Sequence, residues 1–183
     1  MEYSRIIAIR DGRECVLRNA VKSDGAQVSE FFNATHSQTD FLLSYPDENS
    51  FTVAQEEEYL RRKAECEYEI EILAFVDGAL AGTAGIESIG RKYKTKHRAD
   101  FGITVDKAFW GLGIGRALTE ACITCAKNAG YVQLELQAVA ENEAALSLYR
   151  SEGFVEYGRN PRGFRSRLTG WQELVFMRLE LDG

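Results

Sequence analysis

The stretch Val105-Asp106-Lys107-Ala108-Phe109-Trp110-Gly111-Leu112-Gly113-Ile114-Gly115-Arg116 decides how the chain is read. Phe101 to Val105 has strand character, and an amphipathic helix is expected from about Leu112 to Ala129. Ile114, Leu118, Ala121, Cys122, Cys125 and Ala129 recur at spacings that trace one buried stripe, and Gly130 follows as a C-cap. Between strand and helix, Gly111, Gly113 and Gly115 stand at every second position. Glycine lets the backbone turn sharply and lets a ligand approach the N–H groups. The first N–H groups of a helix lack intrahelical partners and carry the positive end of its dipole, so such a turn suits a phosphate or pyrophosphate. Two common nucleotide loops fail on spacing. Gly115 is followed by Arg116-Ala117 where a P-loop needs Lys-Ser/Thr, and the third glycine comes one position too early for a dinucleotide fingerprint. A tight strand-to-helix turn with close packing and no ligand accounts for the glycines equally well at this level.

A second feature lies downstream. Asn142 and Tyr149 fall on a short helix expected over 141–151. Seven residues make nearly two helical turns, so both side chains share one face, roughly 10 Å apart. A strand is expected over 132–139 just before it. In a parallel β-α-β unit both helix starts meet the same end of the sheet, so the glycine turn and Asn142 would flank one crevice. An amide and a phenol so placed suit an extended ligand, held at its middle by the first and met at its reactive end by the second. The competing reading makes Asn142 a helix cap and Tyr149 a core aromatic.

Upstream, residues 6–9 and 14–18 read as a hairpin about Asp11-Gly12. Ser23 is expected to cap a helix reaching about Thr35, and Thr52 with Gln55 forms a capping box for a second one. Glu65, Glu67, Glu69 and Glu71 alternate with Cys66, Tyr68, Ile70 and Ile72, which predicts a strand with a solvated carboxylate face; an amine-attracting rim is the functional alternative. Asp77-Gly78 turns into a strand over 80–89, followed by a basic loop over 91–98. Strands over 154–157 and 173–181 enclose a turn-rich segment, 160–170, carrying Arg162, Arg165 and Arg167, and both prolines, Pro46 and Pro161, fall in loops. The order predicts an α/β fold with one mixed sheet of about seven strands and helices on both faces.

A length of 183 residues fits one domain, 1–183, and 45% hydrophobic with 27% charged residues excludes disorder. With 22 basic against 28 acidic residues the net charge is −6, which argues against nucleic acid and favours a cationic substrate. No apolar run is long enough to cross a membrane, and Met1 to Ile7 does not resemble a signal peptide, so a cytoplasmic protein without a membrane partner is expected. Cys122 and Cys125 form a CxxC, but deep in a helix and without further ligands nearby, which favours buried structural thiols over a redox or metal site.

The stretch from Phe101 to Phe154 resembles the acetyl-CoA-binding half of the GNAT superfamily of N-acetyltransferases. Trp110-Gly111-Leu112-Gly113-Ile114-Gly115 is similar to that family's Gln/Arg-x-x-Gly-x-Gly/Ala signature except at its first residue. Asn142, Ala145, Tyr149, Gly153 and Phe154 meet its Asn-x-x-Ala-x-x-x-Tyr-x-x-x-Gly-Phe pattern. The Trp-Gly pair is similar to the branch that includes ribosomal-protein alanine acetyltransferases. The resemblance implies the acyl-CoA N-acyltransferase fold, with the cofactor-binding half at about 98–157. It implies acetyl-CoA as co-substrate, no metal, and a primary amine acceptor attacking directly in a ternary complex. Backbone at Ile103 and Val105 would pair with pantetheine. The turn of Trp110, Gly111, Gly113, Ile114, Gly115 and Arg116 would hold the pyrophosphate through its N–H groups. Asn142 and Ala145 would contact pantetheine, Tyr149 would protonate the CoA thiolate, and Arg150 would meet the nucleotide's 3′-phosphate.

An ammonium acceptor must first lose a proton, and the expected bases are Asp100, on the strand leading to the crevice, and Glu87 on its neighbour. By family analogy, Phe41 to Asp47 and Asn160 to Gly170 would line the acceptor's entrance, for a peptide N-terminus, a polyamine or an amino acid alike. A homodimer is compatible with this reading. The alternatives are a non-catalytic acyl-CoA sensor on the same fold and a binder of another phosphate ligand.

Overall fold

The computed structural model describes residues 1–181. A single mixed sheet runs in the order β1-β2-β3-β4-β5-β6-β8-β7. It has eight strands against the expected count of about seven, and hairpins at both chain ends form its opposite edges. β1 (Ser4–Ala8) and β2 (Glu14–Asn19) form the first hairpin. Ser23 does not cap the first helix. It sits in a short 3-10 turn, where the Asp24 carboxylate accepts from the Val21 N–H at 2.8 Å and pairs with Arg18, and α1 (Gly25–His36) starts after it.

The Thr52 capping box forms as expected and opens α2 (Val53–Glu65). Arg61 bridges Glu58 and Glu65 on its surface, and these i,i+3 and i,i+4 pairs carry the helix through Glu65. The alternation over 65–72 therefore does not make one strand. β3 is Ile70–Val76, and of the four alternating glutamates only Glu71 lies in it. β4 (Ala79–Ser88) and β5 (Arg98–Val105) continue the sheet antiparallel.

α3 (Ile114–Asn128) buries the expected stripe: Ile114, Leu118, Ala121, Cys122 and Cys125 are sealed in the main core. A fully buried leucine such as Leu118 stabilises by about 2 kcal/mol. Burial pushes the Cys125 thiol up to about 11 and the Cys122 thiol well above its ordinary value, so neither is a ready thiolate. β6 (Gln133–Val139) runs parallel to β5 and leads to α4 (Glu143–Ser151). β7 (Val155–Ser166) and β8 (Gly170–Glu180) make a long hairpin, so most of the segment expected as a turn-rich loop is strand. Pro161 falls within β7, at a register break where the ladder needs no N–H.

Leu73 of β3 packs with Phe31 and Leu60 of α1 and α2 on one face, while α3 and α4 share the core on the other. β5 and β6 pair only between Arg98–Asp100 and Gln133–Glu135. Beyond Asp100 they diverge, and Gly102 to Val105 pair with β4 alone. The resulting split in the sheet is where both helix N-termini arrive.

Candidate functional site

Gly111 and Gly113 adopt left-handed φ angles of 77° and 94°, which explains glycine at both positions. Gly115 has no such requirement: a Cβ there would make ordinary contacts with Leu148 at 3.5 Å and Val105 at 3.9 Å. The Arg10 backbone N–H donates to the Leu112 carbonyl at 3.1 Å, and its guanidinium donates to the Gly111 carbonyl at 3.0 Å. With those carbonyls held on one side, the N–H groups of residues 111 to 116 are left without backbone acceptors among the described residues. The first bond into the helix runs from Ala117 N–H to the Gly113 carbonyl. These are free donors at the positive end of a four-turn helix, an arrangement that binds anions. No motif in the sequence pointed to the bracing role of Arg10.

Trp110 donates its indole N–H to the Val105 carbonyl at 2.8 Å. The side chain that departs from the family pattern thus ties the turn back to the end of β5. It engages the Val105 carbonyl, part of the backbone that the resemblance assigned to pantetheine.

A cavity of about 420 Å³ runs along this turn. Ile103, Val105, Gly111, Gly113, Ile114 and Gly115 line it on one side. Asn142, Ala145 and Tyr149 line the other, so the two sequence signatures flank one crevice. Asn142 is a helix cap, its Oδ1 accepting from the Ala145 N–H at 3.3 Å, and the residue also lines the cavity. Tyr149 is core-packed against Phe101 and Phe154, with ring centroids 6.2 and 6.0 Å away. Its hydroxyl nonetheless has no hydrogen-bond partner among the described residues. Burial pushes the phenol up to about 12, so it stays protonated at neutral pH. Arg116 turns its side chain to Glu152 and Ser151, while Arg150 is exposed near Glu143 and does not line the cavity.

A second cavity, of about 360 Å³, opens on the α1–α2 face, and the two meet at Thr35 and Thr104. Phe31, Phe32, Phe51 and Tyr59 form its walls, and Glu48, Glu56 and Glu71 its charges; no lysine or arginine lines it. Glu71, expected on a solvated face, instead points inward from β3. A Cβ on Gly85, its partner across β4, would overlap the Glu71 carboxylate, so the missing side chain makes the room. Loss of solvation, reinforced by the charges of Glu87 and Glu56 against the pull of Lys63, pushes Glu71 up to about 7. The sequence signal was a lone carboxylate facing a glycine across two strands, which no single-strand pattern reveals.

The two expected bases are neighbours in the β4–β5 register but line neither cavity. Glu87 accepts from the Tyr59 hydroxyl at 2.6 Å and pairs with the buried Lys63 at 3.0 Å. Desolvation opposes its ionisation, but those two partners outweigh it and hold its pKa low. Asp100 is pushed up to about 6 by desolvation and by the charges of Glu87 and Glu135. Of the two expected entrance segments, Phe41 and Leu42 line the first cavity, but residues 160–170 line neither. They brace the other segment: Arg167 pairs with Asp47 at 2.8 Å, and Ser166 donates to Asp40 at 2.5 Å.

A family model described as the acetyltransferase (GNAT) family matches residues 33–154, two thirds of the chain. The chain is 41% identical over 88 residues to the N-alpha-acetyltransferase RimI of Mycobacterium tuberculosis, covering 48% of this chain and 53% of that protein. It is 36% identical over 82 residues to the ribosomal protein bS18-alanine N-acetyltransferase of Salmonella typhimurium, covering 45% and 55%. It thus spans about half the length of these curated relatives. Among solved structures, a GNAT-family acetyltransferase from Streptococcus pneumoniae superposes with a TM-score of 0.87 at 29% identity, over 91% of this chain and 99% of that one. The acetyltransferase yncA of Salmonella typhimurium, solved with its cofactor acetyl-CoA, shares the fold with a TM-score of 0.79 at 21% identity, over 92% and 94%.

Proposed function

The chain belongs to the acetyltransferase (GNAT) family, and from that premise we propose that it transfers an acetyl group from acetyl-CoA to a primary amine by direct attack in a ternary complex. The observation that carries this is the junction of the two cavities at Thr35 and Thr104. One cavity offers free backbone donors for a pyrophosphate and a protonated phenol. The other is aromatic and acidic, fit for an amine. A thioester lying along the first would present its carbonyl carbon where the second opens.

The N–H groups of Gly111, Gly113, Gly115 and Arg116 bind the pyrophosphate, and the free edge of β5 at Ile103 meets the pantetheine arm. Trp110 holds the turn in place through Val105, and Asn142 and Ala145 contact the arm from α4. The amine arrives as an ammonium and gives its proton to a carboxylate. Glu71 is best placed for this, since it lines the acceptor cavity unpartnered, with a pKa near the working pH. Asp100, also raised, accepts the proton onward toward solvent, and Glu87 orients Tyr59 and Lys63 rather than acting as the base. The amine's electron pair then attacks the thioester carbon, the C–S bond breaks, Tyr149 protonates the departing thiolate, and the second proton lost from nitrogen as the amide forms restores the Tyr149 phenol. A strand N–H near Val105 steadies the developing oxyanion.

Melting curves with acetyl-CoA, CoA, ATP and NAD test the donor half of this proposal. Acetyl-CoA and CoA should raise Tm and the others should not. A rise with ATP or NAD alone would reassign the turn to another phosphate ligand.

A further inference from the structure

The acceptor cavity holds more negative charge than one reacting ammonium balances. Glu48 is already engaged, by the Tyr45 N–H at 2.8 Å and by Arg167 at 3.5 Å. The buried Lys63 pairs with Glu87. His36 stacks on Phe32 with ring centroids 3.6 Å apart, and burial holds its pKa below the ordinary imidazole value, so it brings no charge at neutral pH. Glu56 and Glu71 are therefore left without an ion-pair or hydrogen-bond partner among the described residues, on the walls of one cavity. Glu71 is half-buried on the cavity wall, and a desolvated carboxylate without an ion-pair partner is costly in a folded state unless a ligand supplies the counter-charge.

The walls between them are aromatic. Phe51 and Tyr59 meet edge to face at 6.3 Å, and Phe31 and Phe32 complete the lining. Such walls accept methylene groups and the face of an ammonium. With no lysine or arginine in the lining, a substrate carboxylate would find no cationic partner there and would face the carboxylates.

We propose that the acceptor is a linear aliphatic amine with a second ammonium, the reacting nitrogen lying at Glu71 beside Thr104 and the second cation at Glu56. This rests on the acetyl-transfer reading above and narrows its acceptor. The reacting ammonium passes one proton to Glu71, its electron pair forms the N–C bond, the C–S bond breaks, the thiolate takes a proton from Tyr149, and the second proton lost from nitrogen as the amide forms restores the Tyr149 phenol. The products are CoA and a monoacetylated diamine that keeps one positive charge. Glu56 is a specificity residue here: it touches the distal nitrogen and no reacting atom.

The test compares kcat/KM for cadaverine, pentylamine, aminovalerate and an alanine-initiated peptide, in the wild-type protein and in Glu56→Gln. Cadaverine should exceed pentylamine by about tenfold, as one charged contact is worth, and aminovalerate should fall below both. In Glu56→Gln the cadaverine-to-pentylamine ratio should collapse toward one, while acetyl-CoA still raises Tm as proof of folding. A ratio near one in the wild type, a preference for aminovalerate or the peptide, or an unchanged ratio in Glu56→Gln overturns the inference and leaves acetyl transfer standing. Failure of acetyl-CoA to bind the wild type removes the reading beneath it as well.

Discussion

Glu71 on β3 and Gly85 on β4 face each other across the ladder, and the carboxylate of one fills the room left by the absent side chain of the other. A methyl at position 85 would overlap Oε2 of Glu71 and crowd the Ile70 carbonyl at 3.1 Å. Gly85→Ala should therefore push the carboxylate out of line. Steady-state kinetics should show kcat lower by about tenfold to a hundredfold, since small misplacements at a reacting group carry that penalty. Calorimetric titration should show acetyl-CoA affinity close to wild type. Wild-type kcat in a folded variant would remove Glu71 from the reaction.

The pH dependence has a sign fixed by the same residue. Glu71 takes a proton only when ionised, and its pKa is about 7 against an ordinary 4.5. The kcat/KM for the amine should rise with pH through about 7 and then level. Glu71→Gln should lower it by about a hundredfold or more and abolish that limb. Stability should move the other way. A carboxyl whose folded pKa is raised keeps its proton more tightly in the folded state, so stability falls as pH climbs from the unfolded value toward 7. The glutamine variant lacks this fall and should melt above the wild type at pH 8. A rate limb that survives in Glu71→Gln belongs to another group, with Asp100 the next to test.

The three glycines of the turn should not be equivalent. Gly113 sits at φ 94°, where a side chain costs about 1–2 kcal/mol, whereas a Cβ at Gly115 meets only ordinary contacts. Gly113→Ala should lose most of the rise in Tm on adding acetyl-CoA, and Gly115→Ala should keep more of it. Equal losses would mean that the ligand's approach, and not backbone conformation, sets the need for glycine.

Trp110→Phe keeps an aromatic ring but removes the indole donor to the Val105 carbonyl. One lost hydrogen bond of about 1 kcal/mol should weaken acetyl-CoA binding by about fivefold, measured by titration, with kcat nearly unchanged. Full wild-type affinity would show that the turn holds its shape without this tie.

The crevice beside the glycine turn was legible in the sequence because its geometry is local. Glycine spacing, the α3 stripe and the Asn142–Tyr149 interval each sit within one element and its flanks, and the expected crevice formed where β5 and β6 diverge. The second cavity was not, because it is assembled across elements. Glu71 reaches its place through Gly85 on the next strand and the α1–α2 walls beyond. The alternating glutamates misled because Arg61 pairs extend α2 through Glu65 and leave only the last of them in the strand. The 160–170 segment reads as turns by composition, yet pairing with β8 makes most of it strand, with Pro161 at the break.

The central claim is most directly tested by following free thiol as the wild-type protein and Tyr149→Phe are mixed with acetyl-CoA and saturating amine. Thiol release that depends on the amine, and a kcat about a hundredfold lower in Tyr149→Phe at unchanged acetyl-CoA affinity, is the predicted result. A wild-type protein that binds acetyl-CoA yet releases no thiol with any cationic, neutral or peptide amine would contradict it.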